Sequence, residues 1–213
     1  DGWYGSWGIR RAARYLRALR AIDASFPGVT IDDTLARQRI ESVLNHVEGR
    51  NEPYFLNLGA LWDDQSNIDV WQAWDWFHEA GAWCMLKGWD DLYARILPLA
   101  NWQLNNTMRG DGTMAYYAGR QNLSGQGHSP IYTSHALPFM GLMVQRGDLD
   151  LLSLRNSVNV VLDYLPTDGA IGRGMMGVRD NGTIHFGWGG AMHKKACQIT
   201  GGLLPDVMEV AGF

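Results

Sequence analysis

The sequence predicts an all-α fold: an α/α toroid, or a partial one, built from helical hairpins with short β-hairpin connections. Three observations carry that expectation. Residues 68 to 87 are apolar nearly all the way round at helical spacing, the mark of a helix buried on most faces. Six further stretches show helical periodicity and are separated by Gly, Pro and Asp turn signals. Finally, Asp1-Gly2, Asp111-Gly112 and Asp168-Gly169 each open a turn beside an aromatic or apolar extended piece, at offsets of 110 and 57 residues. A unit of about 55 residues holding one helix pair thus recurs, and hairpins that cannot bury their faces alone stack on their neighbours.

In chain order, a Gly- and Trp-rich turn at Asp1 to Gly8 leads into a helix from about 9 to 22, which Pro27-Gly28 stops. The Asp32-Asp33-Thr34 cap starts a second helix running to about 47, with Leu35, Ile40, Val43, Leu44 and Val47 along one stripe. Residues 49 to 67 form a long loop carrying Trp62-Asp63-Asp64, and loops of that length inside compact domains usually serve function. The buried helix at 68 to 87 follows. Gly88-Trp89 turns the chain into a fourth helix, about 91 to 107, in which Pro98 predicts a kink. Arg109 to Tyr117 reads as a turn and a short extended piece, and the polar loop 118 to 130 precedes a fifth helix at 131 to 146. A sixth spans about 149 to 164, a hairpin-like segment with Asn181-Gly182 as its tight turn follows, and a last helix covers 191 to 211. The helices at 68 to 87, 131 to 146 and 191 to 211 are the apolar ones expected on the inner wall, with 32 to 47 and 91 to 107 outside. Seven helices leave the last without a partner, which points to a ring incomplete at its C-terminal end.

A chain of 213 residues suits a single domain, 1–213, with a substantial core. No run approaches the roughly 18 apolar residues that a membrane span needs, so no membrane partner is expected. The net charge of −4 with scattered Lys and Arg argues against nucleic acid, which demands a basic stripe. Arg10, Arg11, Arg14, Arg17 and Arg20 cluster locally, as a solvated outer face of the first helix would. Cys84 and Cys197 are too few for a disulfide framework or a cysteine-rich metal site and read as buried thiols. The chain begins at Asp1 rather than Met, so a leader can have been removed; a secreted or periplasmic location is preferred over a cytoplasmic one, and oligomerisation stays open. The 10 Trp and 8 Tyr beside 6 Phe suit sugar-stacking clefts as well as cores. Sequons at Asn105, Asn122 and Asn181 are short enough to arise by chance.

Chemistry concentrates on the buried helix. Asp75, His78 and Glu79 stand three and four residues apart and leave one helical face, so two carboxylates and an imidazole share an element that is otherwise dry. Glycosidic cleavage needs two carboxyl groups, one protonated and one ionised, and desolvation with like-charge repulsion would keep one of these protonated. His78 would orient either. The bland alternative is that both carboxylates bond to loop amides or an arginine and only hold the fold together. Asp64 beside Trp62 could supply the second carboxyl, with helix capping as its ordinary role. His128, Tyr132 and His135 place three proton-carrying groups near one end of the fifth helix. With Arg120 neutralising a carboxylate, they would equally serve a lyase acting on uronates. Trp76, Tyr116, Tyr117 and Trp188, with His185, complete the candidate sugar-binding set. A metal site is not expected, since no second spaced pair of His or Cys completes Asp75, His78 and Glu79, and no cofactor is implied.

Two short stretches resemble known α/α toroids. Asp1-Gly2-Trp3-Tyr4-Gly5-Ser6-Trp7-Gly8-Ile9 resembles the Asp-Gly-Ser-Trp-Tyr-Gly-x-Trp-Gly segment of squalene and hopene cyclases, although their Asp-rich catalytic motif has no counterpart here. Lys195-Ala196-Cys197-Gln198-Ile199-Thr200-Gly201-Gly202 is similar to the Glu-x-Cys-x-Ile segment of β-L-arabinofuranosidase-type glycoside hydrolases. Lys195 stands where their Glu falls, and their zinc-bound cysteine cluster lacks its other members. The resemblances imply a carbohydrate-active toroid. The expected function is therefore glycoside hydrolysis in an aromatic-lined cleft on an oligo- or polysaccharide. A uronate lyase, a non-catalytic sugar-binding or scaffold part of a larger toroid, and a terpene-cyclase-like domain are the alternatives.

Overall fold

A computed structural model of the chain describes residues 6–26, 28–29, 31–48, 70–115, 128–163, 176–178, 184–186 and 207–212. Six helices dominate it: α1 (Ser6–Ser25), α2 (Asp33–Glu48), α3 (Val70–Lys87), α4 (Asp90–Thr107), α5 (Pro130–Arg146) and α6 (Leu151–Asp163). Each falls within a few residues of its predicted position. Of the last predicted helix, only a helical turn at 207–211 lies among the described residues. Residues 1 to 5, the loop at 49 to 67 and the Asp168-Gly169 segment lie outside them, while Ser6 to Gly8, expected in the opening turn, begin α1. The chain packs as two compact units, Asp1–Leu104 and Asn105–Phe213.

In the first unit α1 packs against α3, and their seam is fastened where Trp83 Nε1 donates to the Leu16 carbonyl at 3.0 Å. On α2 the buried stripe is Ala36, Ile40, Val43, Leu44 and Val47, spaced by four, three, one and three residues. Leu35, expected on that stripe, is exposed. One residue amounts to about 100° around a helix, which sets Leu35 well outside the arc that Ala36, Ile40, Val43, Leu44 and Val47 share. The Asp32 carboxylate accepts from the Thr34 amide at 2.9 Å and caps α2 as the sequence predicts. Arg95 on α4 forks onto Glu48 of α2 at 2.8 and 2.7 Å, and Arg37 of α2 pairs with Asp91 of α4. These ion pairs join α2 to α4, while α1 lies on α3. Gly88, at φ 68°, lets the chain reverse between α3 and α4 within two residues. Trp83 and Trp89 then stack, 6.1 Å apart and 11° from parallel, with Lys87 over the Trp83 ring and Arg37 over the Trp89 ring. Pro98, where a kink is expected, sits on the exposed side of α4, and the helix assignment continues through it. On that side the lost backbone bond faces water rather than the core.

The second unit sets α5 against α6 beside a small antiparallel sheet ordered β1 (Met114–Ala115), β2 (His128–Ser129), β3 (Met176–Val178) and β4 (Ile184–Phe186). β3 and β4 pair as Met176 with Phe186 and Val178 with Ile184, the hairpin that the Asn181-Gly182 signal predicts. The Asp111-Gly112 turn is wedged against α6. Gly112 has φ 86°, and a Cβ there would lie 2.7 Å from the backbone of Asn156 and Ser157. Its carbonyl accepts from Ser157 Oγ at 3.1 Å, while Thr133 Oγ1 accepts from the Met114 amide at 3.0 Å. The Asp-Gly pair is thus required by close approach as well as by turn geometry.

Helices α3 and α5 are the most deeply buried. Residues 73 to 81 of α3 and 133 to 141 of α5 are buried without interruption, whereas α2 and α4 bury one stripe each. α3 and α5 are thus the deeply buried helices that their apolar sequences predict. Cys84 is a buried thiol in no disulfide, as expected, and Cys197 lies outside the described residues.

Candidate functional site

Asp75, His78 and Glu79 project from the most buried helix of the first unit, and each is itself buried. They are not equally so. The Glu79 side chain has 0% exposure, whereas the imidazole of His78 keeps 9%. A fully occluded carboxylate must find compensating donors. Glu79 finds them on α1: Arg17 Nε donates to Oε1 at 2.6 Å and Arg20 Nη2 to Oε2 at 2.9 Å. His78 Nδ1 lies 3.4 Å from Oε1. Arg17 and Arg20 are three residues apart, so one face of α1 presents both guanidinium groups together. Two residues of the predicted solvated arginine face therefore turn inward, because their long apolar stems reach along the α1–α3 seam and place the charged heads on a buried anion.

The electrostatics follow from this geometry. Burial on its own would raise the Glu79 carboxyl. The hydrogen bond and charge of His78 and the charges of Arg17 and Arg20 outweigh it and lower the carboxyl from 4.5 to about 2. Glu79 is therefore held in its ionised form. It is unsuited to carrying a proton near neutral pH. That is also the arrangement of the bland alternative, a carboxylate held by arginine across two helices.

The other candidates are distributed differently. Trp76 is wholly buried on α3, with its ring edge-on to Phe77 at 5.7 Å, and belongs to the core of the first unit. His135 is likewise buried, on α5 of the second unit. Neither lines a solvent-facing wall among the described residues. The backbone of β2 pairs His128 with Ala115 and Val178, and β4 pairs His185 with Gly177, so the sheet gathers both histidines. The side chains of His128 and Tyr132 lie outside the described set, and so do Trp62, Asp64, Tyr116, Tyr117, Arg120 and Trp188 entirely. Asp75, His78 and Glu79 are therefore the candidates that the described structure brings together. Arg17 and Arg20 are the members that sequence reasoning missed. Their signal was present as an i, i+3 arginine pair bordering the apolar stripe that holds Ala13 and Leu16.

Among the described residues, no group of three or more His, Cys, Asp or Glu side chains is arranged to hold a metal ion. No helix among them is long and apolar enough to cross a membrane. No family model matches the chain, and no curated protein or solved structure matches it.

Proposed function

We propose that the chain is part of a helical toroid that acts on carbohydrate and cleaves a glycosidic bond, with Asp75 as the proton donor to the leaving oxygen. The observation that carries this reading is the buried carboxylate–imidazole–carboxylate face of α3, in which one carboxylate is fixed in its ionised state. A hydrolase of this type needs two acidic groups with opposed protonation, and the arginine clamp supplies the opposition by holding Glu79 ionised. The toroid is supported by the alternation within the first unit, where α1 lies on α3 while ion pairs join α2 to α4. Uninterrupted burial of α3 and α5 is also what inner-wall helices require.

A second reading is favoured by one specific observation: both oxygens of Glu79 are engaged by arginine. On that reading the cluster fastens α1 to α3, and the domain is a non-catalytic part of a larger carbohydrate-binding toroid. Asp75→Asn separates the two. In a panel of oligosaccharides assayed for new reducing ends, the hydrolase reading expects turnover to fall at least about 100-fold with sugar binding retained. Turnover unchanged by the substitution sinks it. New ultraviolet absorbance from an unsaturated uronate product would move the assignment to elimination.

A further inference from the structure

We infer that His78 is the general base of this site and that Glu79 acts through it as a positioning residue. The inference rests on the hydrolase reading above. Glu79 is fully occluded and both of its oxygens are occupied, so it has no route to a substrate. His78 has one: its side chain retains 9% exposure, while its Nδ1 edge lies 3.4 Å from Glu79 Oε1. Adjacent residues leave a helix about 100° apart, so this approach requires both side chains to turn toward each other. The two arginines hold the carboxylate in place for it. An acceptor beside Nδ1 favours the neutral tautomer protonated there, which leaves the Nε2 lone pair for chemistry. The charged group beside the imidazole is Glu79, whose oxygens Arg17 and Arg20 of α1 also bind, and Asp75 stands one turn earlier on the same helix.

In the step this arrangement permits, Nε2 takes a proton from a water molecule as the water oxygen bonds to the anomeric carbon. The bond from that carbon to the leaving oxygen breaks, and Asp75 gives its proton to that oxygen. Afterwards Asp75 is ionised and His78 is an imidazolium beside Glu79, and passage of one proton back through solvent restores both. Direct attack by water from the opposite face gives an inverted product.

The tautomer is read on the native protein from the 15N shifts of its labelled histidines, at a pH where imidazole is neutral, with the His78 signal assigned by its loss in His78→Gln. A protonated Nδ1 with a bare Nε2 is expected, and a protonated Nε2 overturns the positioning role. On an oligosaccharide that the native protein cleaves, His78→Gln should lower kcat at least about 100-fold with KM little changed, and the product should appear first as the inverted anomer. An unchanged kcat, or a retained anomer, overturns the base assignment and leaves the hydrolase reading standing. If the native protein cleaves none of the panel, the hydrolase reading fails and the role of Nε2 fails with it, while the tautomer is decided separately.

Discussion

Replacing Glu79 with Gln removes one negative charge from between two guanidinium groups while keeping the shape of the side chain. The size of the effect follows from the carboxyl's acidity. A tenfold change in proton affinity corresponds to about 1.4 kcal/mol, so lowering the group from 4.5 to about 2 on folding links its ionisation to about 3 kcal/mol of stability. The sign is that of a depressed carboxyl. Its contribution is complete above the unfolded value of 4.5 and is lost as the pH falls from there through about 2. The native protein should therefore exceed E79Q in stability by about 3 kcal/mol at pH 7, with the gap closing toward zero across that acidic window. Urea unfolding followed by Trp fluorescence suits the test, because nine of the ten tryptophans lie within residues 1–104, the unit that contains Glu79. Arg17 and Arg20 are partly exposed and regain water once unpaired, which holds the loss near the lower end of the range for broken buried pairs. A gap below about 1 kcal/mol at neutral pH, the size of an ordinary exposed pair, would refute the reasoning. So would a gap that stays constant as the pH falls.

Three further outcomes follow from the packing. Gly112→Ala forces a side chain into the left-handed region and onto the backbone of Asn156 and Ser157, so unfolding of the second unit by urea should shift by at least about 2 kcal/mol; a neutral result would mean that the turn does not rest on α6. Asp150→Ala removes the acceptor for the Ser153 amide at the start of α6, and a loss of about 1 kcal/mol is expected in the same assay. Trp83→Phe keeps an aromatic face toward Lys87 and Trp89 but deletes the bond to Leu16, so the first unit should lose about 1 kcal/mol, measured by thermal or urea unfolding.

The helices were legible because each announces itself locally. The Asp32 cap, the periodic stripe of α2, the unbroken apolar surround of α3 and the Asn181-Gly182 turn depend on residues within a few positions of one another, and local spacing is what a sequence displays directly. The expectations that the structure overturns, Leu35 on the buried stripe and Arg17 and Arg20 on a solvated face, concern which way a side chain points. Leu35 lies one position from the true stripe, and a single residue is enough to cross from core to solvent.

The candidate site was legible only in part for a different physical reason. A carboxylate on a helix as buried as α3 must be compensated, and that much the sequence requires. Which group compensates it is a long-range fact: Arg17 and Arg20 stand 62 and 59 residues before Glu79. Compensation also decides what the carboxylate can do. Beside a second carboxylate in a dry pocket, Glu79 would hold a proton and serve as an acid; clamped by two arginines, it is ionised near neutral pH. The same residue therefore changes chemical role with its partners.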